Sequence, residues 1–324
     1  MQITILDGYT LNPGDNPWTQ LEKLGNITVY DRTPLDAIIE RAADADIIVT
    51  NKVPLTAATL KQLPKLRYIA VTATGFDQVD IKAAAELGIG VSNVPNYGTN
   101  SVVQHVFALL FVLCRAVQRH DASVKIGNWT GNKDWCFWET TQVELTDKVM
   151  GIVGYGNLGS HVAKIALAFG MKVVAYTPRP TKDHDKSIQF VDLDTLFTTA
   201  DVVSLHCPLN DSTRGLVNAE RLATMKRGAY LLNTSRGPLL DEQAVADALN
   251  NNHLGGLGVD VVSVEPIQPE NPLLNAKNCI ITPHLAWASL TARQTLMRIT
   301  GENVAAFLAG TPNNLVNAKY MQGK

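Results

Sequence analysis

Arg236, Glu265 and His284 are the residues of this 324-residue chain whose types and spacing best suit chemistry. Each follows an apolar strand pattern. Thr234-Ser235-Arg236-Gly237 closes the run from Leu231, Glu265 comes after Leu257–Val262 with Asp260 inside the strand end, and His284 comes after Ile280–Thr282. In an open parallel sheet, ligands bind beyond the carboxyl ends of the strands, so all three residues can point into one cleft. Arg236 presents a planar fork that holds a carboxylate and polarises a neighbouring carbonyl. His284 can give a proton to a carbonyl oxygen or take one from a hydroxyl. Glu265, where it hydrogen-bonds the imidazole, favours the charged form and fixes the ring. A plainer alternative stands beside each: Arg236 as a surface turn residue, Glu265 as a solvated loop acid, His284 as a helix cap.

None of these side chains can carry hydride. The segment Gly154-Tyr155-Gly156-Asn157-Leu158-Gly159 points to what does. It follows the buried strand pattern Val149–Val153 and precedes a helix pattern from Ser160 to Phe169. Gly154 permits the tight turn, Gly156 lets the backbone approach a pyrophosphate, and Gly159 lets helix and strand pack closely. The helix N-terminus offers N–H groups and partial positive charge to the phosphates. A glycine-rich turn can be purely structural, but the strand before and the helix after favour a dinucleotide. With a nicotinamide to carry hydride, the set reads as reduction of a 2-keto acid to a 2-hydroxy acid, and the reverse. An NAD site carries an acid about 20 residues past the glycines. Here the strand Val173–Tyr176 ends in Thr177-Pro178-Arg179-Pro180-Thr181-Lys182. Thr177 has no charge to repel a 2′-phosphate, and Arg179 and Lys182 could pair with one. That tilts an NAD(P) site slightly toward NADP(H). The alternative keeps NAD, with Thr177 on the ribose and Arg179 solvated.

Alternating strand and helix signals must position these groups, which predicts an α/β chain with parallel sheets. Strands are expected at Ile3–Leu6, Ile27–Tyr30, Ile47–Thr50, Tyr68–Val71 and Gly90–Asn93, with helices around Leu35–Ala43, Ala57–Gln62 and Ile81–Leu87. This first unit has no glycine fingerprint, and the turn cluster Val94–Thr99 ends it. A helix over Val102–Val117, capped by Asn100 or Ser101, is apolar nearly all round and is expected to be buried and to cross between domains. The stretch Asn128–Thr141 is irregular and holds Trp129, Trp135 and Trp138, three of five tryptophans. Such an arm is hard to solvate, and a dimer contact is favoured over an intramolecular flap. A second unit starts near Leu145, with six strands at Val149–Val153, Lys172–Tyr176, Val202–His206, Ala229–Asn233, Gly256–Val261 and Cys279–Thr282, the size of a full Rossmann sheet. A helix from Thr291, capped by Ser289 or Thr291, runs to Leu308 and returns to the first domain. The expected division is 1–99 plus 289–324 for a substrate domain and 100–288 for a dinucleotide-binding domain.

Bulk properties agree. A length of 324 residues suggests two domains, and 46% apolar with 18% charged residues is globular. The net charge of −2 offers no field for nucleic acid. Met1–Asp7 reads as a strand rather than a signal peptide, and no apolar run approaches the roughly 18 residues of a membrane span. Cys114, Cys136, Cys207 and Cys279 are scattered, as expected of reduced thiols in a cytoplasmic protein; Cys207 and Cys279 are expected as small core residues, and no metal site is expected.

The motifs Gly154–Gly159, Asn233–Gly237, Asp260–Pro266 and Thr282-Pro283-His284, in that order, resemble the signatures of the D-isomer-specific 2-hydroxyacid dehydrogenases over essentially the whole chain. Within that family Thr50–Leu55, Ala73–Asp77, Trp135–Glu139 and His284–Ala288 are similar to the glycerate dehydrogenase (hydroxypyruvate reductase) branch. The resemblance implies two doubly wound domains, one flavodoxin-like and one Rossmann-like, with the active site in the cleft between them. It implies that Arg236 binds the substrate carboxylate, His284 is the acid/base and Glu265 its partner. Thr74 and Gly75 would add backbone N–H contacts, Lys52 would join the substrate site, and Asp260 would lie near the nicotinamide carboxamide. His206, Cys207, Pro208, Thr234 and Ser235 would line the cofactor. The implied substrate pairs are hydroxypyruvate/D-glycerate or glyoxylate/glycolate, in a homodimer whose Trp138 reaches the partner's active site. A binding protein of co-repressor type, sensing the dinucleotide with little turnover, is the alternative of another class.

Overall fold

The computed structural model describes residues 1–180 and 185–321. The chain divides into two compact units, Met1–Gly98 with Trp287–Lys324, and Thr99–Ala286. The first is built on five strands: β1 (Gln2–Ile5), β2 (Asn26–Val29), β3 (Ile47–Thr50), β4 (Tyr68–Val71) and β5 (Gly90–Ser92). All pairs are parallel, in the order β2-β1-β3-β4-β5. Every residue of β3 and β4 is buried. That is why they read as continuous apolar runs: helices cover both faces of a parallel sheet. The connecting helices are α1 (Thr19–Glu22), α2 (Ile38–Ala42), α3 (Ala57–Leu60) and α4 (Ile81–Glu86). Thr56 and Asp80 cap the last two, accepting from Thr59 N and Ala83 N. The single helix expected over Leu35–Ala43 is instead a 3-10 turn, Leu35–Ala37, leading into α2. No side chain caps this start, and the first turn winds more tightly.

In the second unit, α5 (Thr99–Arg115) and α6 (Val117–Lys125) precede β6 (Val149–Val153), α7 (Asn157–Ala168), β7 (Lys172–Tyr176) and β8 (Ile188–Phe190). Then come α8 (Leu193–Thr199), β9 (Val202–Leu205), α9 (Ala219–Thr224), β10 (Tyr230–Asn233), α10 (Glu242–Asn250), β11 (Gly256–Val259) and β12 (Cys279–Ile281). The sheet has seven strands in the order β12-β11-β10-β9-β6-β7-β8. All pairs are parallel. The expectation of six strands misses β8, whose three residues are too few to display a period of two. Leu231 and Leu232, successive in β10, enter opposite hydrophobic clusters, so both faces of the sheet are covered.

The long apolar helix departs from expectation in three ways. It starts at Thr99, which places Asn100 and Ser101 inside it rather than at its cap. It breaks at Ala116, where φ is 44°, and α6 follows. It is buried on one side only: Val103, Val106, Phe107, Leu109, Leu110 and Cys114 pack inward, whereas Phe111, Val112 and Leu113 are half-buried. It lies in the second unit, against α7, β10 and β11. The tryptophan arm is irregular. An intramolecular flap does not describe it, since Trp135 is 86% and Trp138 68% exposed. Cys207 and Cys279 are half-buried and pack against the edge of the core.

The chain then enters α11 (Leu290–Leu308), capped by Ser289, which accepts from Ala292 N, and ends with α12 (Ala318–Met321). The helix belongs to the first unit. From it Arg293 donates to both oxygens of Asp15, at 2.5 and 2.7 Å, and to the Leu11 carbonyl. No single helix among the described residues is long and apolar enough to cross a membrane.

Candidate active site

The strand order reverses direction at β6, which lies between β9 and β7, so the carboxyl ends of β6 and β9 flank a switch-point crevice. The glycine turn occupies this place. Gly154 has φ 98°, and a Cβ there would meet His206 O and Cys207 N at 2.7 Å. A Cβ on Gly159 would collide with the Gly154 carbonyl, so helix and turn approach as only glycine allows. Nothing stands within 4 Å of a Cβ on exposed Gly156, the N-cap of α7, which leaves a bare backbone cradle at a helix N-terminus. Tyr155 packs edge-on against Phe190 at 5.1 Å, Leu158 joins the core, and Asn157 donates to Thr99 Oγ1 at 2.6 Å.

The other residues expected at the cofactor follow strands on the same sheet edge. Thr177 follows β7, with Arg179 exposed two residues on and no acid between them; Lys182 and Thr181 lie outside the described residues. His206, Cys207 and Pro208 follow β9. The His206 Nε2 is 2.8 Å from Ser204 Oγ, whereas its Nδ1 is buried without a hydrogen-bond partner, as is Thr234 Oγ1. Although the His206 residue is half-buried, desolvation pushes its pKa down to about 4 and keeps the ring neutral. Burial likewise pushes the Cys207 thiol up to about 11. Ser235 donates to the Leu205 carbonyl at 2.7 Å and so ties β10 to β9. Two buried polar atoms awaiting partners beside a glycine cradle suit a dinucleotide, with donors for its phosphates and a polar wall beyond.

The three candidate catalytic residues follow the neighbouring strands β10, β11 and β12. Buried Asn233 clamps its own turn: its Nδ2 donates to Arg236 O and its Oδ1 accepts from Ser235 N. Arg236 is exposed and gives one N–H to the Ser235 carbonyl. A Cβ on the next residue, Gly237, would collide with the Val262 carbonyl, which brings the Arg236 turn against the loop of Glu265. Glu265 Oε2 lies 2.6 Å from His284 Nδ1, and both side chains are about one-third exposed (35% and 30%). His284 has φ 52°, a left-handed conformation that costs a residue with a side chain roughly 1–2 kcal/mol.

Sequence reading does not reveal what supports these residues. Glu242, at the start of α10, accepts from Ser263 N (2.7 Å), Ser263 Oγ (2.6 Å) and Asn271 Nδ2 (2.9 Å), holding the loop that carries Glu265. Asp260 is 1% exposed, and its carboxylate accepts from Thr282 Oγ1, Leu285 N and Ala286 N. The structure thus engages this carboxylate within its own chain. In the first unit, Lys52, Thr74 and Gly75 share the carboxyl edge of the five-stranded sheet. Asp7 accepts from Asn51 N and Lys52 N, and Thr74 Oγ1 donates to Val94 O. Trp138 stands in the arm of the second unit.

Comparisons with known proteins agree with this geometry. A model of the D-isomer specific 2-hydroxyacid dehydrogenase NAD-binding domain matches residues 107–286, more than half of the chain. A hydroxypyruvate reductase of Blautia hydrogenotrophica is 49% identical over 98% of this chain and all of that one. A glycerate dehydrogenase of Methylorubrum extorquens is 45% identical over 87% of this chain and 89% of its own. Among solved structures, an acyclic imino acid reductase in complex with NADPH and D-Arg superposes with a TM-score of 0.84 at 32% identity, covering 98% and 100% of the two chains. Relatives named as reductases and dehydrogenases favour turnover over the sensor alternative. The chain therefore belongs to the D-isomer-specific 2-hydroxyacid dehydrogenases, on the glycerate dehydrogenase branch, and moves hydride between a nicotinamide cofactor and a 2-keto or 2-hydroxy acid.

Proposed function

We propose that this enzyme reduces hydroxypyruvate to D-glycerate, accepts glyoxylate as a smaller substrate, and uses NADPH at least as readily as NADH. The observation that carries the reading is the 2.6 Å contact between Glu265 and His284 at the edge of a dinucleotide-type sheet. The bound nicotinamide supplies the hydride. Arg236 holds the substrate carboxylate with its fork. His284 gives the proton from Nε2 to the carbonyl oxygen as negative charge develops there. Glu265 steadies the imidazolium through Nδ1. The names of the two relatives at 45% identity and above support the substrate.

The NADP reading rests on Thr177 and exposed Arg179 where an acid would repel a 2′-phosphate. The assembly we infer is a homodimer joined through the tryptophan arm, with Trp138 offered to the partner's site. Initial rates of hydroxypyruvate reduction, followed at 340 nm with NADH and NADPH side by side, test the reading. Fast turnover with NADPH preferred supports substrate and phosphate contact together. Fast turnover with NADH alone discards Thr177 and Arg179 as a phosphate site. Silence with both discards hydroxypyruvate.

A further inference from the structure

His284 is held in a left-handed backbone conformation by a part-buried chain of hydrogen bonds that begins on another element. Thr282 Oγ1 lies 2.6 Å from Asp260 Oδ1, and a carboxylate only accepts, so the hydroxyl donates there. The same hydroxyl oxygen lies 2.9 Å from His105 Nε2 on α5. Having given its one proton to Asp260, Thr282 accepts from His105, which requires a proton on Nε2. His105 Nε2 is also 3.6 Å from Asp260 Oδ1 itself. The carboxylate in turn receives Leu285 N at 2.9 Å and Ala286 N at 2.8 Å, while His284 N donates to the Asp260 carbonyl at 2.9 Å. Three successive amides, 284 to 286, therefore end on one residue. Strained conformations persist only where the surroundings over-determine them, and this network supplies that constraint.

We propose that Thr282 and His105 are positioning residues for proton transfer: by orienting the Asp260 carboxylate they lock the 284–286 backbone and keep the imidazole aligned between Glu265 and the substrate. This rests on the reading of His284 as the acid/base. A displacement of about 1 Å at such a group costs on the order of a hundred-fold in rate. Removal of the relay accordingly acts on kcat rather than on cofactor binding.

The test uses the full-length enzyme with Thr282→Val, which keeps the shape and removes the hydroxyl, and Thr282→Ser, which restores it. The valine variant is expected to lose up to about a hundred-fold in kcat. It should show a larger solvent deuterium isotope effect, because proton transfer becomes slower, and an unchanged cofactor Kd; the serine variant should recover all three. A valine variant with wild-type kcat and isotope effect overturns the proposal, as does one that only melts earlier. Should Thr282→Val fail to fold, His105→Leu against His105→Gln, whose amide can still donate, carries the same comparison, and normal kcat in the leucine variant overturns it. His284→Ala separates the two readings. If it is inactive while Thr282→Val is normal, only the relay fails; if it is active, the acid/base assignment itself fails.

Discussion

His284 is the acid/base of the proposed reaction, so its substitution is the plainest residue-scale prediction. His284→Ala removes proton transfer and leaves the glycine cradle intact. It should lower kcat by about 100- to 10,000-fold with unchanged cofactor Kd, by steady-state rates and fluorescence titration. Arg236→Lys keeps the charge but loses the planar fork. A hydrogen bond to a charged group contributes about 1.5–3 kcal/mol, so KM for the keto acid should rise roughly ten- to a hundred-fold; an unchanged KM would place the carboxylate elsewhere. His206 gives a prediction in pH. Its pKa falls from an ordinary 6.5 to about 4 on folding, so between those values the unfolded chain binds a proton that the folded chain refuses. Stability is therefore full above pH 6.5 and declines as pH falls toward 4, by at most about 3–4 kcal/mol from this group. His206→Asn should flatten that part of a urea-denaturation profile against pH. Arg236, Glu265 and His284 stood out as candidates because each comes within a few residues of a strand end. His105 was not, because its partner Thr282 lies 177 residues away and nothing local marks the pairing.

At the scale of elements, the loop from Asp260 to Asn271 is held by Glu242 at the first turn of α10. Glu242→Ala would leave Ser263 N and Asn271 Nδ2 without their acceptor, a cost of about 1–3 kcal/mol if neither recovers water. The Glu265 carboxylate would then wander, and kcat/KM for the keto acid should fall while the far-UV spectrum stays native. A variant with full activity would show that Pro266 and the Gly237 contact hold the loop alone. Most elements were legible from apolar runs, and β3 and β4 were read to the residue because complete burial makes them continuous. Failures have physical causes. The three residues of β8 are too few for a period to show, and the one-sided packing of α5 is set by α7 and the sheet, on which local hydrophobicity says nothing. Nothing local marks Glu242, since its acceptor role depends on a loop 21 residues further on.

Across the whole molecule, the arm after α6 poses the remaining physical question. Its far end is anchored: Glu139 N donates to His120 Nε2, and hydrogen bonds from Ser123 and Arg119 hold the Glu139 carboxyl below the usual carboxylate range. Inside the arm Trp129 Nε1 donates to the Trp135 carbonyl at 3.1 Å. An anchored segment that exposes Trp135 at 86%, Trp138 at 68% and Trp129 at 51%, beside Ile126 at 77%, keeps a large apolar surface in water. Burying it against a second copy recovers roughly 25 cal/mol per Å² of apolar area, and stable interfaces of this kind bury about 1,200–2,000 Å² in total. A net charge of −2 offers little repulsion between copies. Light scattering should give twice the mass of one chain at micromolar concentration, and the double variant Trp135→Ser, Trp138→Ser should shift the protein to monomer. Trp138→Phe asks a separate question, because it keeps the apolar contact. If the ring reaches the partner's substrate, KM should change while the dimer persists, and if it serves assembly alone, both should stay as they were. Wild-type protein that remains monomeric as concentration rises would remove the dimer, and with it any role for Trp138 in a neighbouring site.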